Sequence, residues 1–132
     1  MEMKLELVPI PVADVDRAKA FYSEKLGFNV DLDVSPGNGF RVVQLTPPGS
    51  ACSIVIGTGM PEIAKMQAGS VKAIHLVVAD VIKARDMLTA KGVEVGAVDE
   101  HDQGIKYVHF SDPDGNSWLF QEMPWRSAEF KS

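Results

Sequence analysis

The groups able to do chemistry in this 132-residue chain are few: three histidines, one cysteine, two tyrosines and an Asp112-Pro113-Asp114-Gly115 turn. Histidine exchanges protons near neutral pH and ligates metals, so His75, His101 and His109 are the first residues to place. His75 and His109 keep company with Tyr107, Ser117 and Gln121. Ring nitrogens, hydroxyls and an amide are suited to hydrogen-bonding a polar organic molecule, or to moving a proton on it. His101 lies in the polar stretch DEHDQG and reads as a solvated surface group. Cys52 has no His or Asp at a spacing that makes a nucleophilic dyad, so it reads as a small buried hydrophobe. Asp112 and Asp114 read as turn residues whose carboxylates bond the local backbone. Gly37 and Gly39 form no phosphate loop, because no helical pattern follows them.

The elements that must carry these groups are written twice. VADVDRAKAFYSEKLGFNV at 12–30 answers VADVIKARDMLTAKGVEV at 78–95, with eight of the eighteen aligned pairs identical once Leu26 is gapped. Thr46-Pro47-Pro48-Gly49 answers the Asp112–Gly115 turn at an offset of 66. Two copies make a pseudo-symmetric domain rather than a solenoid. In the second copy, Lys72–Ala79 has the length and composition of a strand. Asp80 supplies an N-cap oxygen; Val81, Ala84, Met87 and Leu88 fall on one helical face, and Gly92 ends the helix in the left-handed region. The first copy matches, with Asp14 as cap, Val15, Ala18, Phe21 or Tyr22 and Leu26 as the stripe, and Gly27 as the stop. Three strand-like runs follow each helix, at about 28–34, 40–46 and 51–57, then 93–98, 105–111 and 117–122. Each half is therefore βαβββ. Module one spans about 4–58, a connector with one helical turn after Pro61 about 59–70, module two about 71–123, and a tail 124–132.

Side chains on a strand alternate between faces, and this sorts the second module. One face holds Ile74, Leu76, Val78, Val108, Phe110, Trp118 and Phe120, an apolar seat for the helix. The other holds His75, Val77, Tyr107, His109, Ser111, Ser117, Leu119 and Gln121, the mixed character of a ligand-binding wall. In the first module Cys52, Ile54 and Ile56 repeat the helix-facing pattern, but Gln44 falls where Phe110 does, which predicts a bulge or slip at that point. Glu122 is out of phase with Gln121 and points the other way. Pro9 and Pro11, two apart, both lack an N–H on one side, which places the first strand at an edge or seam.

Composition narrows the function. A formal net charge of −5 and a pI near 5.1 argue against nucleic-acid binding and favour cationic ligands at long range. No apolar run approaches 18 residues, and the N-terminus lacks the charge and hydropathy of a signal peptide, so a cytoplasmic protein without membrane contact is expected. A single cysteine fits a reducing compartment.

With its Asp-capped VADVDRAKAFYSEKLGF and closing DPDGNSWLFQE, the repeat resembles the vicinal oxygen chelate superfamily of glyoxalases, bleomycin-resistance proteins and extradiol dioxygenases. The resemblance runs from about Leu5 to Glu122. It implies an α+β fold, two tandem βαβββ modules forming a curved mixed sheet around a cleft, with the helices on the outer face. It also implies a homodimer, with the tail and its Trp125 and Phe130 lying across the partner or fraying. Family enzymes hold a divalent metal through four positions, which carry over to His75, Pro9, Leu119 and Ser53. Only His75 is a ligand, so no metal and no cofactor is expected. The one other arrangement is a shifted trio of His75, His109 and Gln121.

Two classes of function stand on these residues. One is a binding protein that sequesters a small molecule against His75, Tyr107, His109, Ser117, Leu119 and Gln121, as bleomycin-resistance members do. The other is a lyase, isomerase or dioxygenase of the glyoxalase/dioxygenase type, with a relocated metal or with His75 or His109 as general base.

Overall fold

A computed structural model describes residues 1–130. The chain divides into two compact units: Met1–Val71 together with Asp112–Asn116, and Lys72–Ser111 together with the chain from Ser117 on.

In the first unit, β1 (Leu7–Pro9), β2 (Asn29–Gly37), β3 (Phe40–Thr46) and β4 (Ser53–Thr58) form one sheet in the order β1-β4-β3-β2. Strand β1 runs parallel to β4 and has no second partner in this sheet, which leaves an edge for the missing proline N–H. Helix α1 (Val15–Ala20) begins where the Asp14 carboxylate accepts from the Arg17 backbone N–H. It then widens into a π turn over Phe21–Lys25, which the helical spacing did not foretell, and stops at Gly27 with φ 74°. Val15, Ala18, Phe21, Tyr22, Leu26 and Phe28 are buried with Val43, Leu45, Ile54 and Ile56. Each large aliphatic or aromatic side chain among them contributes roughly 1.5–3 kcal/mol of hydrophobic free energy.

The Asp112–Asn116 turn lies beside α1, with Asp112 and Asn116 buried. Asp112 accepts from the Tyr22 hydroxyl at 2.7 Å, from the Asn116 side-chain amide at 2.8 Å, and from the backbone N–H groups of Asp114 and Asn116. Asn116 also donates to the Pro11 carbonyl. Asp112 and Asp114 are structural, as their turn predicted; Asp114 takes the Ala13 N–H and the Arg17 guanidinium.

In the second unit, β5 (Ile74–Val77), β6 (Asp99–Glu100), β7 (Lys106–Ser111) and β8 (Ser117–Glu122) form a sheet in the order β5-β8-β7-β6. Helix α2 (Val81–Ala90) starts at Asp80, whose carboxylate accepts from Ile82 and Lys83. The Glu122 carboxylate accepts from the Val81 N–H, so Glu122 does turn to the helix side. Val81, Leu88, Val108, Phe110, Trp118 and Phe120 make the core under α2.

Several boundaries differ from the sequence reading. The run 93–98 is not a strand: Val95 makes one isolated bridge to Phe110, and regular pairing is confined to Asp99–Glu100. The Gly96 N–H donates to the His109 carbonyl, but the neighbouring residues add no regular ladder to β7. Met87 is 38% exposed, because α2 seats only Val81 and Leu88 fully. Cys52 precedes β4 and is half-buried, its Sγ near the Ser53 carbonyl. Past β8, Pro124–Glu129 winds into a 3-10 helix with Trp125 exposed. Lys131 and Ser132, the end of the expected tail, lie outside the described residues.

A candidate ligand-binding face

Strand register brings most of the predicted site residues of the second unit together. His75 pairs with Leu119 across β5 and β8, and Leu119 pairs with His109 across β8 and β7. One step along, Val77 pairs with Gln121 and Gln121 with Tyr107. All six side chains therefore project from the face away from α2. His75 and His109 are exposed, Tyr107 and Gln121 half-buried, and Leu119, set between the two imidazoles, is only 6% exposed and forms the floor.

The polar groups are oriented by specific bonds. His75 Nδ1 lies 2.8 Å from the Ala73 carbonyl oxygen. A carbonyl can only accept, so Nδ1 carries the hydrogen and Nε2 of the neutral ring is a bare acceptor. Ala73 sits in the left-handed region at φ 62°, and its N–H donates to Ser117 Oγ at 2.8 Å. Ser117, one of the predicted ligand contacts, is thus engaged in shaping the backbone beside His75. Gln121 Nε2 donates to the Tyr107 hydroxyl at 3.2 Å. The Tyr107 ring packs edge-on against His75, with centroids 6.0 Å apart, and against His101 at 5.3 Å. His101 is exposed, as predicted, and bonded to Asp99 at 3.0 Å; its contact with Tyr107 was not anticipated.

The first unit has a polar cluster on the corresponding face that sequence reasoning missed. Asp31 is the extra residue of a bulge between Val30 and Leu32. Its carboxylate accepts from the Thr46 hydroxyl, the Asn29 amide and the Gln44 amide, and Thr46 also bonds Ser53 at 2.6 Å. The Thr46 hydroxyl above all, then Asn29, holds the Asp31 carboxyl below its ordinary range. Strict alternation hides this residue; a lone Asp between Val30 and Leu32 was the available signal.

Register also corrects the matching of the two halves. Gln44 pairs with Val55 as His109 pairs with Leu119, so Gln44 answers His109, and β3–β4 pairing runs through it without a slip. The irregularities lie instead between β2 and β3. A fixed offset of 66 misplaced Gln44 because Leu26 is an extra residue in the first copy, and from Gly27 onward the offset is one less. The loop 47–52 is one residue longer again than 112–116, so the residue beside Pro9 is Val55, not Ser53.

Comparison with known proteins agrees with this architecture. The family model described as Glyoxalase/Bleomycin resistance protein/Dioxygenase superfamily matches residues 4–120. The chain belongs to this superfamily. Among solved structures it is similar to TnmS3, an antibiotic binding protein from Streptomyces sp. CB03234, at 31% identity and TM-score 0.81, over 92% of this chain and 97% of that one. It is also similar to a glyoxalase/bleomycin resistance protein from the same Streptomyces strain, at 32% identity and TM-score 0.75, over 89% and 98%. YetH of Bacillus subtilis (strain 168) is 28% identical over 124 residues, 92% of this chain and 100% of YetH.

The superfamily's metal does not fit the residues present. The strand pairs that would supply its ligands are His75 with Leu119 and Pro9 with Val55, a single imidazole among four positions. Among the described residues, no group of three or more His, Cys, Asp or Glu is placed to hold an ion. A catalytic zinc site draws on three protein ligands, and harder cations on several oxygens.

Proposed function

We propose that this superfamily member binds a small organic molecule on the face of the second sheet away from α2, as a binding protein without a four-ligand metal centre. The observation that carries this reading is the convergence of His75, Tyr107, His109 and Gln121 above the Leu119 floor, with one chelating side chain at the family's metal positions. Aromatic edges, an apolar floor and a few placed polar groups are the usual makings of a ligand site. Similarity to an antibiotic binding protein supports the same class of ligand. A thermal-shift panel of planar aromatic antibiotics tests it: a binder raises Tm progressively with concentration, and Tyr107→Ala abolishes the rise. A flat response across the panel contradicts the reading.

The bare Nε2 of His75 also favours an enzymatic alternative, in which that nitrogen abstracts a proton next to a substrate carbonyl. Proton–deuterium exchange at the α-carbon of small α-oxo thioesters, lost in His75→Phe, supports it; exchange no faster than in buffer excludes it. The protein is further proposed to be cytoplasmic and to act as a homodimer. Exposed Met3, Leu5 and Leu7 at the β1 edge give a second copy an apolar surface. Light scattering at the mass of one chain contradicts the dimer.

A further inference from the structure

We propose that the second sheet selects its ligand by a fixed acceptor–donor pair, His75 Nε2 and the Tyr107 hydroxyl, and so takes planar aromatic molecules carrying a hydroxyl and a carbonyl. This rests on the binding reading above and specifies its chemistry. The Ala73 carbonyl occupies the Nδ1 hydrogen of His75, leaving Nε2 to accept. Gln121 donates to the Tyr107 oxygen, which leaves the phenolic hydrogen free to be given away. The two rings touch edge-on with centroids 6.0 Å apart, so one ligand can contact both, and buried Leu119, paired with His75 across the strands, supplies an apolar floor. A ligand hydroxyl answers Nε2, and a ligand carbonyl answers Tyr107. A ligand lacking either leaves a protein group unpaired on desolvation, which is the strongest form of polar discrimination.

Ser117 is a positioning residue in this device. Ala73 holds a left-handed φ of 62° that an alanine disfavours, and the Ser117 Oγ bond to its N–H fixes that turn. The turn in turn aims the Ala73 carbonyl at His75.

The test uses the whole chain labelled with ¹⁵N. Long-range ¹H–¹⁵N correlation of the imidazoles above neutral pH, assigned with His75→Phe, should show His75 protonated on Nδ1. Ser117→Ala should move that proton toward Nε2, and Ser117→Thr should restore it. Three probes are then titrated: 3-hydroxyacetophenone, its methyl ether, and 3-isopropylphenol. The first should bind about tenfold more tightly than either of the others. His75→Phe should erase the preference for phenol over ether, and Tyr107→Phe the preference for ketone over isopropyl. An Nε2–H tautomer of His75, equal binding of phenol and ether, or no shift of second-sheet signals by any probe overturns the proposal. A positive antibiotic panel beside any of those results leaves the binding reading standing and removes only this selectivity. An unchanged tautomer in Ser117→Ala removes the role of Ser117.

Discussion

His75 and His109 carry the functional claim at the scale of single residues, and their exposure separates function from stability. Neither ring is part of the packed core. His109→Ala should change unfolding free energy by no more than about 0.5 kcal/mol, as surface substitutions do, and His75→Ala, which also loses its bond to the Ala73 carbonyl, by no more than about 1 kcal/mol. Each should weaken binding of a panel hit about tenfold, the scale of one lost hydrogen bond to a desolvated partner. Urea melts and titration calorimetry on the same samples check both halves; a large stability loss with unchanged affinity would make these histidines structural. Asp112 is the opposite case. Its carboxylate takes four donors in a partly buried turn, so Asp112→Ala removes the acceptor of the Tyr22 hydroxyl, of one Asn116 amide hydrogen and of two backbone N–H groups, and should cost about 2–4 kcal/mol in urea unfolding.

Elements were legible where local chemistry dictates them. The Asp14 and Asp80 caps, the Gly27 and Gly92 stops and the alternation of β7 and β8 all stand where their residues put them. Because His109, Leu119 and Gln121 follow that alternation, the histidine face of the second sheet is readable in the amino-acid sequence. What stayed hidden depends on pairing between strands. The extra Leu26 shifts the correspondence that decides Gln44, the extra residue in 47–52 shifts it again for Val55, and the bulge at Asp31 breaks the period on which face assignment relies. The orientation of His75 through Ala73 and Ser117 was hidden too, since nothing in residue type announces a left-handed alanine. A salt-bridge cluster of the first unit was likewise unread: Asp33 on β2 takes Arg41 of β3 and Lys19 of α1, and Arg41 also reaches Asp16. Hydrogen bonds from Arg41, then Lys19, hold the Asp33 carboxyl far below its ordinary 3.8. A carboxyl depressed in the folded state adds stability that is fully present above its unfolded pKa and is lost as pH falls from there through its much lower folded value. Asp33→Asn should therefore destabilise the chain at pH 7 and still by most of that amount at pH 3, the deficit closing only at more acid pH. Urea midpoints taken down a pH series check this, and a deficit already gone at pH 3 would contradict it.

At the scale of the molecule, one superfamily fold supports several chemistries, and the site decides among them. Here the candidate sites are two sheet faces away from the helices, one built around histidine, tyrosine and glutamine, the other around an aspartate among hydroxyls. A net charge of −5 favours capture of cationic or neutral molecules over anionic ones. The claim that the histidine face receives the ligand is tested most directly by amide and side-chain NMR mapping of the strongest thermal-shift hit on the full chain. The account predicts saturable shifts centred on His75, Tyr107, His109 and Gln121, with Val81, Leu88 and Trp118 unmoved. Shifts concentrated on the α2 side of the sheet, with the histidine face silent, would contradict it.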